Sequence, residues 1–129
     1  MTSLIDASII AMGIGRIALG LAPFVAPTAA SSLLGFPVAH DNPTTRLMAR
    51  MFGVRDIGLG LIAFFAVAHP ALRAPIFLFQ AATDAGDLVA IGTALVRRHG
   101  IDRAAWRSAG FAAFGLSTWM LQWVVHVAR

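Results

Sequence analysis

Four long apolar runs divide the chain, and three of them carry charge near their middle. The first extends from about Leu4 to Ala26 and stops at Pro27. The second opens at Asn42-Pro43, an N-cap followed by proline at the first helical position, and closes at His69-Pro70. The third runs from about Pro70 to His99, with Gly100 as its expected C-terminal cap. The fourth follows Asp102, a second N-cap candidate, and continues to the C-terminus. At 1.5 Å per residue, each run exceeds the roughly 20 residues that cross a hydrocarbon core. The pattern predicts an all-α membrane protein: a four-transmembrane-helix bundle, with residues 1–129 as one domain. The tight connections make helices two and three, and three and four, expected antiparallel neighbours. The first connection is different, because Pro27, Gly35, Pro37 and Pro43 break it up. It reads as a short irregular or amphipathic linker, with Leu33, Leu34 and Phe36 at headgroup level.

The interruptions are the informative part. Arg16, Arg55, Asp56, Asp84 and Asp87 fall inside the runs. If all five faced lipid, insertion would cost roughly 12–17 kcal/mol in total. They are therefore expected to face one another or water within the bundle. Arg55 lies fourteen residues before His69, and Asp84 fourteen after Pro70. In an antiparallel hairpin both stand about 21 Å from the turn, so Arg55 is expected to meet Asp84 or Asp87. Arg16, near the centre of the first run, reaches the same layer. Asp84 and Asp87 share a helix face, and Gln80 extends it by a turn. Two carboxylates this close resist joint ionisation without a cation nearby. With three aspartates against two arginines, one retained proton makes the layer neutral. Such a proton is what general acid/base chemistry uses. The same network is also what a purely structural register lock would need.

Composition supports the membrane reading. Hydrophobic residues make up 58% and charged ones 12%, half the roughly 25% of a soluble domain. All ten basic residues are arginine and all six acidic ones aspartate. With abundant alanine, this suggests a GC-rich bacterial genome. The net charge of +4 does not argue for nucleic acid, because the arginines flank or interrupt apolar runs rather than line a polar face. Arg46, Arg50, Arg97, Arg98, Arg103 and Arg107 cluster at the first and third connections, against Arg73 and Arg129 on the other side. The positive-inside rule then places those connections in the cytoplasm and both termini outside, in a bacterial cytoplasmic (inner) membrane crossed several times. The first run contains Arg16 and lacks a basic leader, so it reads as a retained span. Trp106 and Trp123 suit interfacial belts.

No cysteine occurs, which excludes disulfides and thiolate sites. His40, His69, His99 and His126 stand apart with no i+4 partner, so no metal site and no cofactor is expected. Trp119, Gln122, Trp123 and His126 form a helical stripe that reads first as packing and second as a ligand wall. Gly13, Gly15, Gly20, Gly53, Gly58 and Gly60 read as helix-packing residues. "GIG" and "GLG" are not nucleotide loops, because no strand precedes them.

"GRIALGLAPFVAP" (Gly15 to Pro27), "LLGFP" (Leu33 to Pro37) and "GVRDIGLG" (Gly53 to Gly60), followed by aspartates in the third run, form an ordered set. Together they resemble a family of small uncharacterised four-helix membrane proteins of bacteria and fungi, loosely grouped with DoxX-like proteins. The most specific element is matched by Arg55, Asp56, Leu59 and Gly60, and Arg16 matches a weaker first-span pattern. The resemblance implies no activity and no cofactor ligand.

Two functional expectations follow. The first is a cofactor-independent intramembrane isomerase, cyclase or hydrolase acting on a lipophilic small molecule by isomerisation, cyclisation or epoxide opening. Asp84 and Asp87 would hold the working proton, Arg55 and Arg16 would orient the carboxylates or bind an oxyanion, and Asp56 would position Arg55. Gln80, Trp119 and Gln122 would line the binding site. The second is a proton-coupled carrier, which at this size would work as a homo-oligomer, or a structural subunit of a membrane complex. An enzyme needs a cavity of roughly 300 Å³ or more at Asp84 or Asp87. A subunit needs every carboxylate paired.

Overall fold

The computed structural model describes residues 3–128; Arg129, used above as a topology marker, lies outside them. The elements are α1 (Leu4–Val25), α2 (Pro27–Leu34), a 3-10 turn (Val38–His40), α3 (Pro43–Ala68), a second 3-10 turn (Pro70–Leu72), α4 (Arg73–Val96) and α5 (Asp102–Val127). Among the described residues, three segments are long and apolar enough to cross a membrane: Leu4–Val25, Pro43–Ala68 and Pro70–Val96. Helix α5 has the same length as α3, 26 residues, or about 39 Å. It falls outside that set because its second half includes Ser117, Thr118, Trp119, Gln122, Trp123 and His126. The outer surface is apolar along every long helix, with Leu21, Phe24, Leu61, Phe65, Phe79, Val89, Phe111, Phe114 and Leu121 all exposed. Such a continuous apolar exterior suits lipid rather than water.

The helix starts show how local sequence sets the ends. Ser3 caps α1 through a capping box with Asp6. Asn42 caps α3 through a box closed by Thr45, with Pro43 at the first position, as its sequence predicts. Two expected caps are different. Helix α4 ends at Val96 rather than near His99, and the chain leaves it through Arg98 at φ 52 and Gly100 at φ 76. Helix α5 begins at Asp102 itself, with Ile101 as its cap residue. Asp102 therefore contributes charge to the first turn instead of a capping hydrogen bond.

The backbone pairings depart from the order of the connections. The closest are α1 against α3 and α4 against α5, while α3 and α4 approach each other sparsely despite the tight turn between them. Glycine explains the first pair. Gly20 faces Gly53, and Gly13 faces Gly60. Seven residues along α1 match seven residues back along α3, so the helices are antiparallel. A Cβ on Gly20 would stand 2.5 Å from the Gly53 carbonyl oxygen and 2.8 Å from the Ile57 nitrogen; one on Gly60 would stand 2.7 Å from the Gly13 carbonyl oxygen. Lipid tails are as apolar as the side chains, so close packing of this kind is a main source of helix association in a bilayer. Gly15 and Gly58, expected to serve the same purpose, face open space.

A packed core closes the other end of the bundle. Ile5 and Ile9 of α1, Ala63 and Ala66 of α3, Phe77 and Ala81 of α4, and Trp119 of α5 form it. The Phe77 and Trp119 rings stack at 5.9 Å. Across the same end, the Arg73 guanidinium binds the Asp6 carboxylate and the Ala66 carbonyl, fastening α4 to α1 and α3.

Candidate functional site: a charged layer at mid-depth

The four long helices each bring their middle to one level. Arg16 is the thirteenth of 22 residues in α1, and Arg55 and Asp56 are the thirteenth and fourteenth of 26 in α3. Asp84 is the twelfth of 24 in α4, and Gly115 the fourteenth of 26 in α5. All five sequence-predicted ionisable residues meet there.

They divide into two groups. In the inner one, Arg16 Nη2 donates to both oxygens of Asp84, at 2.6 and 2.7 Å, and Nη1 donates to Asp56 at 3.2 Å. These three residues are buried, at 7%, 3% and 2% exposure. In the outer group, the two terminal nitrogens of Arg55 donate to the two oxygens of Asp87, each at 2.8 Å. This parallel fork is the strong geometry for a guanidinium and a carboxylate. The outer side chains are only half-buried: Arg55 is 37% exposed and Asp87 26%. The Arg55 guanidinium rests over the Phe52 ring, 4.7 Å from its centre, a cation–π contact.

The expected meeting of Arg55 with Asp84 or Asp87 is made with Asp87. Asp84 is occupied by Arg16. The close α1–α3 packing carries the Arg16 side chain over Asp56 and toward α4. Asp84 points inward beneath Gly115, where a Cβ would overlap its carboxylate. Asp87, three residues on, is rotated about 60° around α4 toward the flank of α3. Asp56 serves both arginines, but its shorter contact is to Arg16; the Arg55 separation is 3.6 Å.

The polar residues beside the layer also join helices. Gln80 Nε2 donates to the Leu59 carbonyl at 2.6 Å, linking α4 to α3, and Gln122 Nε2 donates to Ser8 Oγ at 2.8 Å, linking α5 to α1. Trp119 is fully buried against Phe77, and His126 meets the same ring edge-on at 6.1 Å. Trp119 Nε1 and Gln122 Oε1, both buried, find no hydrogen-bond partner among the described residues. Gly115, Ser8 and the Asp6–Arg73 pair were not singled out from sequence. Asp6 carried a visible signal, since it stands three residues after Ser3 in a capping box. Gly115 carried none, because its role depends on which helix lies opposite.

Open grooves mark the surface, two of which bear on the site. One, of about 450 Å³, is lined by Phe24, Leu47, Arg50, Met51 and Val54; the other, of about 400 Å³, by Gly92, Thr93, Val96 and Arg97. Neither is lined by Asp84 or Asp87. Among the described residues, no three histidine or carboxylate side chains gather in a way that could hold a metal ion.

Residues 13–124 match the family model described as a domain of unknown function, DUF4267. The match contains the whole charged layer, both faced glycine pairs and Gln122. No curated protein and no solved structure matches the chain. The chain belongs to the DUF4267 family.

Proposed function

We propose that this protein is an assembly subunit of a membrane complex, and that its charged layer locks the helices in register and offers one half-open ion pair to a partner. The observation that carries the reading is that each carboxylate of the layer has an arginine partner. Asp56 and Asp84 bind Arg16, Asp87 binds Arg55, and neither groove reaches these carboxylates. A pair held this deep costs several kcal/mol in desolvation and is worth little as plain stability. Specifying one arrangement of otherwise interchangeable apolar helices is a better reason for it.

The reading places α5 in the bilayer as a fourth span. Its length and its antiparallel packing on α4 support this. The arginine-rich ends then face the cytoplasm across a multi-pass bacterial inner membrane. A DoxX-like relationship belongs to the same proposal and rests on the sequence motifs alone.

A second reading, acid/base chemistry on a lipophilic molecule, is favoured by one observation. The layer holds three carboxylates and two guanidiniums, so neutrality requires one bound proton. In that reading the partly open Arg55–Asp87 pair is the point of access from the lipid.

Mild solubilisation of native membranes followed by native electrophoresis separates the two. The assembly reading expects the protein in a particle larger than the monomer. A monomer in native membranes, with Asp87→Asn folded but unable to bind or turn over a lipophilic molecule, would replace it with the acid/base reading.

A further inference from the structure

The outer ion pair stands at a seam that the bundle does not close. Helices α3 and α4 approach sparsely, and Arg55 and Asp87 bridge them from opposite sides at mid-depth. The Phe52 ring lies against the Arg55 guanidinium on one side of the bridge, and small or slender side chains stand near it on both helices. Gly58 lies one turn from Arg55 on α3; Thr83, Gly86 and Ala90 flank Asp87 on α4. Gly86 and Ala90 are exposed, and Gly58 and Gly86 have open space where a Cβ would be. In lipid this is an unstable surface, because an arginine or aspartate at the bilayer centre costs about 2.5–3.5 kcal/mol on insertion scales.

We infer that a second copy of this chain covers the seam, related by a two-fold axis along the membrane normal, so that Arg55 and Asp87 of each copy join those of the other in a four-residue ionic ring. This rests on the assembly reading above and names its partner. The argument is charge complementarity under symmetry. A two-fold interface presents one patch to itself, so that patch must be self-complementary. One arginine beside one aspartate satisfies this, whereas a patch of one sign would repel itself. Depth adds a second condition. Two chains inserted with the same orientation can turn about the membrane normal only, which keeps every residue at its own level. Arg55 and Asp87 lie at a common level, so the rotation brings each opposite its counter-charge. The small residues allow the backbones to come near enough for the exchange.

The natural chain has no cysteine, so single cysteines report proximity cleanly. Gly86→Cys and Gly58→Cys are expected to cross-link into dimers under copper–phenanthroline oxidation in native membranes, while Phe114→Cys is not. Phe114 is an exposed α5 residue at the same depth. In the Gly86→Cys background, Arg55→Leu with Asp87→Leu should lower the cross-linked fraction about tenfold, equivalent to about 1.4 kcal/mol. A charge exchange covers the case in which that variant fails to fold. A chain carrying Arg55→Asp and Asp87→Arg keeps its internal pair and its self-complementarity. Mixed with the natural pair in one membrane, it sets arginine against arginine, so mixed dimers should be depleted relative to both like pairs. No cross-link at either glycine, equal cross-linking at all three positions, or mixed dimers at the random proportion would overturn the inference. So would a monomer that carries a retained lipid in native mass spectra. If the purified chain is monomeric but migrates in a larger particle from native membranes, pairing with its own copy falls and the assembly reading stands. A monomer in both removes both.

Discussion

The inner and outer ion pairs use the same two residue types at the same depth, yet they occupy different environments. Arg16 with Asp84 and Asp56 is enclosed by four helices and roofed by Gly115. Arg55 with Asp87 closes a seam between two helices and keeps about a third of its guanidinium side chain exposed. Residue chemistry does not account for the contrast, since both arginines make two-point contacts below 3 Å with one aspartate. Helix spacing does. Where glycine lets α1 meet α3, a side chain is carried into the interior. Where α3 and α4 stand apart, the pair spans a gap. The first arrangement suits a fixed brace, the second a contact still available to a partner.

The largest effect is expected from breaking the inner group. Arg16→Leu leaves Asp84 without its cation and Asp56 with only the 3.6 Å contact to Arg55, and the loss of one partner of a buried pair costs about 3–5 kcal/mol. Unfolding in detergent, followed by the steric trapping or thermal midpoint of the monomer, should show that loss. Adding Asp84→Leu should recover part of it. Simple additivity of the two changes would mean that Arg16 and Asp84 do not act as a pair.

Next comes the glycine seam that creates the inner environment. Gly20→Ala must push its methyl against the Gly53 carbonyl and the Ile57 backbone, and neither can swing aside. Overpacking of this kind costs about 1–3 kcal/mol. Gly58→Ala, facing open space, should not destabilise the monomer, and helix propensity favours alanine there by about 0.5–1 kcal/mol. If both behave alike, the close α1–α3 approach is not what sets the inner pair apart.

Much of this layer could be read before any coordinates. Counting from the His69-Pro70 turn brought Arg55 level with Asp84, and the insertion cost required all five charges to meet. Depth is a one-dimensional property, and an apolar run with a known rise reports it. Rotation and neighbour order are not. Asp84 and Asp87 differ by about 60° around one helix, and that angle decides which aspartate faces inward once the neighbours are known. The neighbours followed from glycine rather than from connection length. Gly13, Gly20, Gly53 and Gly60 were legible as packing residues, but Gly15 and Gly58 carry the same letter and pack against nothing. Gly115 became meaningful only when α5 was seen to lie across Asp84.

A smaller effect is expected at the outer pair within a single chain. Arg55→Leu leaves Asp87 on the half-open seam rather than enclosed by four helices, so its cost should fall between the roughly 1 kcal/mol or less of an exposed pair and the roughly 3–5 kcal/mol of a buried one. The ordering matters more than the value. Measured in the same detergent, Arg55→Leu should destabilise less than Arg16→Leu. An equal or greater loss would show that the outer pair is as enclosed as the inner one.

The smallest effect belongs to the arginine–aspartate pair at the start of α3, which gives the comparison its exposed limit. Asp41 accepts from Arg46 at 2.7 and 2.9 Å and from the Thr28 hydroxyl at 3.3 Å, just before α3. The hydrogen bonds from Arg46 hold its carboxyl below the usual carboxylate value, with the Coulomb attraction and Thr28 adding to the shift. A carboxylate with a depressed folded pKa stabilises the fold above its unfolded value, near about 3.9, and that contribution disappears as pH falls through the depressed value. Salt should weaken it too, because an exposed pair is screened over about 8 Å at physiological ionic strength. Asp41→Asn is therefore expected to lower the thermal midpoint slightly at pH 7 and progressively less as the pH falls below the unfolded value, and the difference should shrink in high salt. The inner pair, shut away from water and ions, should show no such salt dependence. A salt-sensitive Arg16→Leu difference would place that group in contact with solvent and remove the distinction between the brace and the open seam.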